Sequence, residues 1–555
     1  MRIAGGTVPA RARAPMAESA PLRSRDIAAL ALFALALLLY APGLGWGLPE
    51  ATRAGQVRAW GGDEIAPLGP IAELYSVLVR RGPPFNPQYP LFHYVVSALV
   101  VGPYWAFLLL TGGLKDPVPT YPYGLTDPAR ALAVTTVLVR IVSTLMAAGV
   151  VVLALRTGTK LRDRTTGLVA ATLVLLSYPM FYYSRTSNVD MAALFWTALG
   201  LALFAGYLET GLTVRRAAAL GAVTALATAT KDASYAPLVL AAAILLVREW
   251  LHPGADRARR TMAIGAAGLA TLIAVYLPAS GLALHPGRYW EHVRFITGGA
   301  AGPSAPYYFT TPATVAGYLG LVAKTGRHVA ESLGAGTIAL AAAGLGLALV
   351  RSRRLLLFAL PALGIIAVIV PARYVLLRFT MPVAYILTFL AAYAAAEGIR
   401  ARRPWVRATS RVLVVAACVW SGLRAGDLTV QMLADSRTEV SAWLSERLGE
   451  GEAVGYIGTF HALPRLPAEN PLIRLDDPEG GRPRFVIVPL LSYRNYDVNP
   501  SEAERTPAAL AVRNGVPGYR RALTVEPRSL FHTRPMAGVN PRVVIFERDG
   551  DAPTR

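Results

Sequence analysis

The chain has 555 residues, 55 Lys and Arg against 34 Asp and Glu, a net charge of +21 and a hydrophobic fraction of 54%. Only 16% of residues are charged, where a soluble domain carries about 25%, and mean hydropathy is +0.42; an ordinary soluble enzyme is excluded. The pI near 10.3 does not signal nucleic-acid binding, because the arginines lie in short clusters between apolar blocks, where the positive-inside rule puts them. The one cysteine, Cys418, sits in an apolar segment and excludes an intramolecular disulfide or a multi-Cys metal site.

Residues 1–26 are basic, with Arg2, Arg11, Arg13, Arg23 and Arg25, and read as a cytoplasmic N-terminus. No A-x-A site follows, so the first apolar block reads as an uncleaved helix rather than a signal peptide. A spanning helix needs about 20 apolar residues. Eleven blocks approach that length: 27–47, 132–155, 167–184, 189–207, 217–231, 233–249, 261–281, 333–351, 355–371, 383–398 and 409–424. If these alternate, the clusters Arg156/Lys160/Arg162/Arg164, Arg215/Arg216, Arg257/Arg259/Arg260, Arg351/Arg353/Arg354 and Arg400/Arg402/Arg403 share one side, and the odd count leaves the C-terminus outside. Tyr89–Thr111 is also long enough to span, but spanning would move the Arg156 cluster outside. It is therefore predicted as an interfacial or re-entrant helix within a long outer loop, 48–131.

A second outer segment, 282–332, mixes Pro, Gly and aromatic residues (HPGRYWEHVRF, GGAAGPSAPYYF). From 425 the chain turns polar. An amphipathic helix at Thr438–Gly449 and the β-like runs AVGYIG, RFVIVP and Arg542–Glu547 predict a small extracytoplasmic α/β domain over 425–555. The predicted fold is mostly α: a polytopic membrane domain over 27–424 with that domain appended. GAAGLA and GAGTIAL read as close helix packing by small residues. No Walker A, H-E-x-x-H, paired C-x-x-C or G-x-S-x-G elbow is present.

Ionisable groups in or beside membrane helices are costly and mark candidate sites. Asp63 and Glu64 (GGDE) fall in the first outer loop, Asp190 (SRTSNVDM) and Lys231-Asp232 at outer turns, Arg373 and Arg378 (ARYVLLRFTMP) at a later one, and Arg140 in the outer half of the second block. Each has a plainer reading: a solvated Asp-Glu turn, a helix cap at Asp190, a self-neutralising Lys231-Asp232 pair, a buried partner for Arg140, lipid-phosphate anchoring without catalysis for Arg373 and Arg378, interfacial packing for His93. Their common side is the argument. Carboxylates beside cations on an outer membrane surface suit sugar transfer from a lipid-linked phosphate, one carboxylate taking the acceptor proton while cations neutralise the departing phosphate.

In their order along the chain these residues resemble the GT-C glycosyltransferases of the protein O-mannosyltransferase and lipid A aminoarabinose transferase type. The resemblance rests on the Asp63-Glu64 pair, the aromatic Tyr89–Tyr94 stretch (YPLFHY), Arg140 followed by RTGTKLRDR, Asp190, the Thr230-Lys231 turn and RYVLLRFTMP, and it covers the N-terminal half best. It implies a GT-C-like fold, a polyprenyl- or dolichyl-phosphate-linked sugar as donor, and transfer on the outer face. Carried over by position, Asp63 is the base, Glu64 and Asp190 support acceptor or metal binding, and Arg140, Lys231, Arg373 and Arg378 are candidates for the phosphate. Tyr89, His93 and Asn188 are candidates for the donor or acceptor pocket. Relatives differ in metal use, so a divalent ion held by Glu64 and Asp190 stays open. Asp232 departs from the pattern by adding a negative charge beside Lys231.

The expected protein is thus an enzyme of the inner (plasma) membrane. Its partners are the bilayer, a lipid-linked sugar and a protein, lipid or glycan acceptor, with no nucleic acid. A lipid-linked glycan ligase, a polytopic transporter or flippase and an inactive scaffold are the alternatives. Transporters place polar sites near the midplane in broken helices, whereas here the acids cluster at outer helix ends.

Overall fold

The computed structural model describes residues 22–51, 56–79, 88–297, 311–467, 469–475, 482–490, 506–531, 536 and 538–550. The basic segment of residues 1–21 and the whole GGAAGPSAPYYF stretch lie outside the described residues. In chain order the helices begin with α1 (Leu22–Tyr40), α2 (Gly69–Val79), α3 (Phe92–Leu110), α4 (Pro128–Leu161), α5 (Arg164–Leu175), α6 (Tyr178–Tyr183), α7 (Val189–Thr210), α8 (Val214–Thr230) and α9 (Tyr235–Trp250). There follow α10 (Arg257–Ala279), α11 (Pro286–Thr297), α12 (Val315–Leu333), α13 (Ala335–Arg351), α14 (Arg353–Ala359), α15 (Ile365–Ala372), α16 (Met381–Ile399) and α17 (Pro404–Leu433). The small C-terminal unit adds α18 (Ser436–Ser445), β1 (Val454–Tyr456), β2 (Leu472–Arg474), β3 (Phe485–Leu490), α19 (Pro507–Asn514), β4 (Tyr519–Val525) and β5 (Arg542–Arg548).

The chain is a multi-pass membrane protein. Among the described residues eight helical segments are long and apolar enough to cross a bilayer, or nine if the bent pair α12 and α13, 111° apart, is one span. Several of the eleven expected blocks fall below that length test and form shorter apolar helices, among them Ile27–Tyr40 and Arg164–Leu175. Glycines at 43, 45 and 47 follow the end of α1, α8 has 17 residues, and the block at 167–184 is split into α5 and α6 around Ser177, with Pro179 opening the second piece. At the other end of the bundle the basic turns meet carboxylates: Arg162 with Glu397, Arg400 with Asp163, Arg354 with Glu209. The arginine clusters thus gather at one end, as the alternating arrangement requires.

α3 is a single 19-residue helix that passes the length and composition test for a span. Tyr89 and Tyr94 near its start cluster with Val139 of α4, the Trp105 Nε1 donates to Thr135 Oγ1 at 3.1 Å, and Leu114 just beyond its end packs against Ala131 and Leu132. It is a single continuous helix packed beside the first part of α4.

The C-terminal sheet has the order β2-β1-β3-β5-β4, parallel from β2 to β3 and antiparallel beyond. Alternation along β3 sends Phe485 and Ile487 to the face covered by α18, and Val486 and Val488 to the face covered by α19. The strands AVGYIG, RFVIVP and Arg542–Glu547 are thus found. β2, three residues long, and β4, whose Arg520 and Arg521 suit an exposed edge, were not predicted.

Small residues set the closest helix approaches. A Cβ on Gly221 of α8 would overlap the Gly268 carbonyl of α10, and one on Gly344 of α13 would overlap that of Leu390 in α16. Gly221→Leu is expected to cost about 1–3 kcal/mol by overpacking, read as a lower thermal midpoint in detergent; an unchanged midpoint would contradict this packing.

Candidate active site

Two short loops meet at the end of the bundle opposite the arginine-rich turns. The first carries Gly61, Gly62, Asp63 and Glu64; the second, residues 184–188, leads into α7. Glu64 joins them. Its Oε1 accepts from Arg140 Nη2 at 2.7 Å, and its Oε2 accepts from Arg140 Nε at 2.9 Å, Ser187 N at 2.8 Å and Ser187 Oγ at 2.9 Å. Arg140 Nη1 donates to the carbonyls of Leu44 and Trp46, each at 2.7 Å. Asn188 Nδ2 donates to the Gly62 carbonyl at 2.8 Å. Gly61 is required here because a Cβ would overlap the Glu64 carboxylate.

Beside this buried pair, Asp63 turns the other way. It adopts a left-handed conformation, φ 61°, and keeps 29% of its side chain exposed against 2% for Glu64. Its Oδ2 accepts from Arg378 Nη1, and Gln88 also hydrogen-bonds the carboxylate. Burial alone would push the Asp63 carboxyl up, but the Arg378 guanidinium, with help from Lys231 and Gln88, holds it below the usual carboxylate range. Next to it, Lys231 Nζ donates to Asp190 Oδ1 at 2.5 Å and lies 4.8 Å above the Phe379 ring, with Arg378 5.9 Å from the same ring. The Asp190 Oδ2 is buried and has no hydrogen-bond partner among the described residues.

Asp190, Lys231 and Arg378 together line a cavity that is otherwise almost wholly apolar, walled by Leu194, Pro237, Ile365, Phe379, Met381 and Ile386 among others. The chain thus brings together Asp63, Asp190, Lys231 and Arg378 from parts of the sequence more than 300 residues apart. Tyr89 is buried close by; burial, with the Asp63 carboxylate adding to it, pushes its phenol well above its ordinary value, so it remains a hydroxyl donor.

Other expected residues lie elsewhere. Glu64 and Arg140 meet each other: both Glu64 oxygens accept hydrogen bonds, and Arg140 spends four N–H contacts inside the fold with its side chain fully buried. Glu64 and Asp190 do not fit a divalent ion, since one is held by Arg140 and the other by Lys231, and no three His, Cys, Asp or Glu side chains converge among the described residues. Asn188 is the N-cap residue of α7 and ties down the Gly62 carbonyl, so Asp190 is not the cap. His93 is buried with neither ring nitrogen hydrogen-bonded among the described residues and does not line the cavity. Arg373 ends α15 in a left-handed conformation, φ 52°, its carbonyl accepting from Thr311 N at 3.1 Å, and it too is not among the cavity-lining residues. Asp232 turns from the cavity to His292 Nε2 at 3.2 Å, so it does not oppose Lys231 as expected. Gln88, Ser187 and Phe379 were missed; only Gln88, set beside Tyr89 in an NPQYP run, carried any local signal.

No protein-family model and no curated protein sequence matches the chain. Among solved structures it is similar to ArnT from Cupriavidus metallidurans bound to undecaprenyl phosphate, at 13% identity and TM-score 0.47, covering 94% of this chain and 98% of that one. It is also similar to the archaeal oligosaccharyltransferase AglB from Archaeoglobus fulgidus in complex with an inhibitory peptide and a dolichol-phosphate, at 11% identity and TM-score 0.41, over 94% and 89% of the two chains. The arabinofuranosyltransferase AftD from Mycobacteria gives 15% identity and TM-score 0.39, over 96% of this chain and 42% of its own.

The Glu64–Arg140 assignment is testable by a double-mutant cycle. Arg140→Met alone strands a buried carboxylate and is expected to cost about 3–5 kcal/mol, read as loss of monodisperse protein. Adding Glu64→Met should restore much of it, and a double variant as damaged as the single one would contradict the pairing.

Proposed function

We propose that the protein is a membrane glycosyltransferase that moves a sugar from a polyprenyl-phosphate carrier to an acceptor hydroxyl or phosphate on the extracytoplasmic face. The observation that carries this reading is the apolar cavity whose rim bears Lys231, Arg378 and Asp190, with Asp63 on Arg378. A lipid tail requires apolar walls and a phosphate requires fixed cations at its headgroup; the cavity supplies both at the outer end of the bundle. The arginine-rich end lying opposite this site supports an orientation with the sheet domain outside, in the plasma membrane.

In this mechanism Asp63 takes the proton from the acceptor oxygen as that oxygen bonds to the anomeric carbon of the sugar. The bond from that carbon to the phosphate oxygen breaks, and the lipid phosphate departs with its added charge against Lys231 and Arg378. Asp190 holds Lys231 in place through its Oδ1, and the Tyr89 hydroxyl and Gln88 amide orient groups beside the base. In the unliganded site Arg378 keeps Asp63 a weak base. An arriving phosphate competes for the same guanidinium, so donor binding releases the carboxylate for proton transfer. The acceptor class, protein, lipid or glycan, is left to assay.

Asp63→Asn is expected to lower transfer about 100- to 10,000-fold, the range of a lost general base, while binding of the lipid-phosphate sugar stays within a few-fold. Lys231→Met and Arg378→Met should instead weaken donor binding. The assay is reconstituted protein in liposomes with labelled polyprenyl-phosphate hexoses and an extract of acceptors; near-full turnover by Asp63→Asn would overturn the assignment. Because Arg378 holds Asp63 below an ordinary carboxylate of about 3.9, Asp63 stays ionised above that pH. The kcat/KM of the wild type should then show no acid limb from this residue between pH 5 and 8, and a limb near pH 6 that disappeared in Asp63→Glu would contradict the pairing.

A further inference from the structure

The sheet domain meets the first loop at several contacts, one of them on an aromatic side chain next to the site. Trp60, three residues before Asp63, lies under the guanidinium of Arg437, whose Cζ stands 4.0 Å from the ring centroid. Trp46 meets the same ring edge-on at 6.2 Å, and Arg465 approaches it at 5.4 Å. Arg437 is fully buried. Its Nε and Nη2 bind Asp435 at 2.8 and 2.7 Å, and Nη2 also reaches the Gly538 carbonyl at 2.9 Å. Asp435 in turn accepts from Trp46 Nε1 at 3.0 Å and from Asn540 N at 2.9 Å. Arg465 Nη2 holds the carbonyls of Leu48 and Arg58 at 3.0 and 2.7 Å.

These contacts bear directly on the catalytic turn three residues further along the chain. Asp63 sits at φ 61°, in the left-handed region that an aspartate tolerates better than most residues but at a cost that neighbouring contacts must offset. On one side Glu64 is fixed by Arg140 and Ser187. On the other the nearest anchored side chain is Trp60, whose amide also donates to Gly47 O at 2.9 Å. The carboxylate that meets Arg378 is thus strung on a short turn between two anchors, one of which comes from the sheet domain.

We propose that Arg437 is a positioning residue for Asp63, acting through the Trp60 indole on the turn 60–64, so that the sheet domain completes the active site from outside the membrane. The catalytic consequence rests on Asp63 being the base; the mechanical one does not.

The test uses the full chain in nanodiscs: wild type, Arg437→Met, Arg437→Lys, Trp60→Leu, and as control Arg528→Ala, which removes the exposed pair with Glu439. Amide hydrogen exchange is read at residues 56–66 and in β3, together with kcat and KM for a polyprenyl-phosphate hexose. Arg437→Met and Trp60→Leu should raise exchange at 56–66 about tenfold with β3 unchanged. They should lower kcat by about 100-fold, the scale of a small displacement of a reacting group, with donor KM within about twofold. Arg437→Lys keeps a cation over the indole and should recover part of kcat; Arg528→Ala should match wild type. Wild-type exchange at 56–66, or wild-type kcat, in Arg437→Met and Trp60→Leu would overturn the proposal, and Trp60→Leu alone decides it if Arg437→Met fails to fold. Loosening at 56–66 as expected, in a protein whose wild type transfers no sugar, would uphold the positioning and sink the reading of Asp63 as base.

Discussion

A charge buried at membrane depth has to be answered within the fold, and Arg140 is answered at once by a carboxylate and two carbonyls. The carbonyls, of Leu44 and Trp46, belong to the segment leaving α1; the carboxylate, Glu64, belongs to the first outer loop and also takes both donors of Ser187 from the approach to α7. One side chain on α4 therefore ties three segments that share no secondary structure. Removing one partner would strand the other, which is why such pairs are worth more in what they forbid than in net stability. The loops they tie are those on which the site is built.

From that anchor the division of labour between adjacent acids follows. Glu64 and Asp63 are neighbours in sequence, yet the left-handed turn at Asp63 sends their carboxylates apart, one into the core and one toward the cavity. The inward acid is spent on structure. The outward one meets Arg378, and through it lies beside Lys231 and Asp190. Four charges of alternating sign at the mouth of an apolar cavity nearly neutralise one another in the empty site, and any anion that enters must displace one of those pairings. In the proposed mechanism, affinity for a phosphate and availability of the base are therefore linked by a single guanidinium.

The same economy appears outside the bundle. α17 ends at Leu433, and the short turn after it places Asp435, the N-cap of α18, and Arg437 in its first turn at the base of the sheet domain, where Trp46 and Trp60 of the first loop receive them. Two buried ions that neutralise each other can be stacked on indole faces without leaving a net charge unsolvated. The contact joins the domains at a point only three residues from Asp63.

Much of this was legible along the chain. Hydropathy, arginine clusters and the polar turn at 425 specify a helical membrane protein with a small mixed domain, because a bilayer admits few backbone solutions and the alternation of β3 and β5 is written in their residues. The sidedness of Asp63, Asp190, Lys231 and Arg378 was legible for the same reason: charges are tolerated at helix ends. Pairing was not. Whether Arg140 would meet a phosphate or Glu64, whether Asp232 would face Lys231 or His292, and that Arg437 would cap Trp60 depend on which loops touch, over separations of 60 to nearly 380 residues. Hydrophobic pattern carries information about burial and side, which are local. The partner of a buried charge is chosen by three-dimensional proximity among several chemically equivalent candidates, and only the tertiary structure makes that choice.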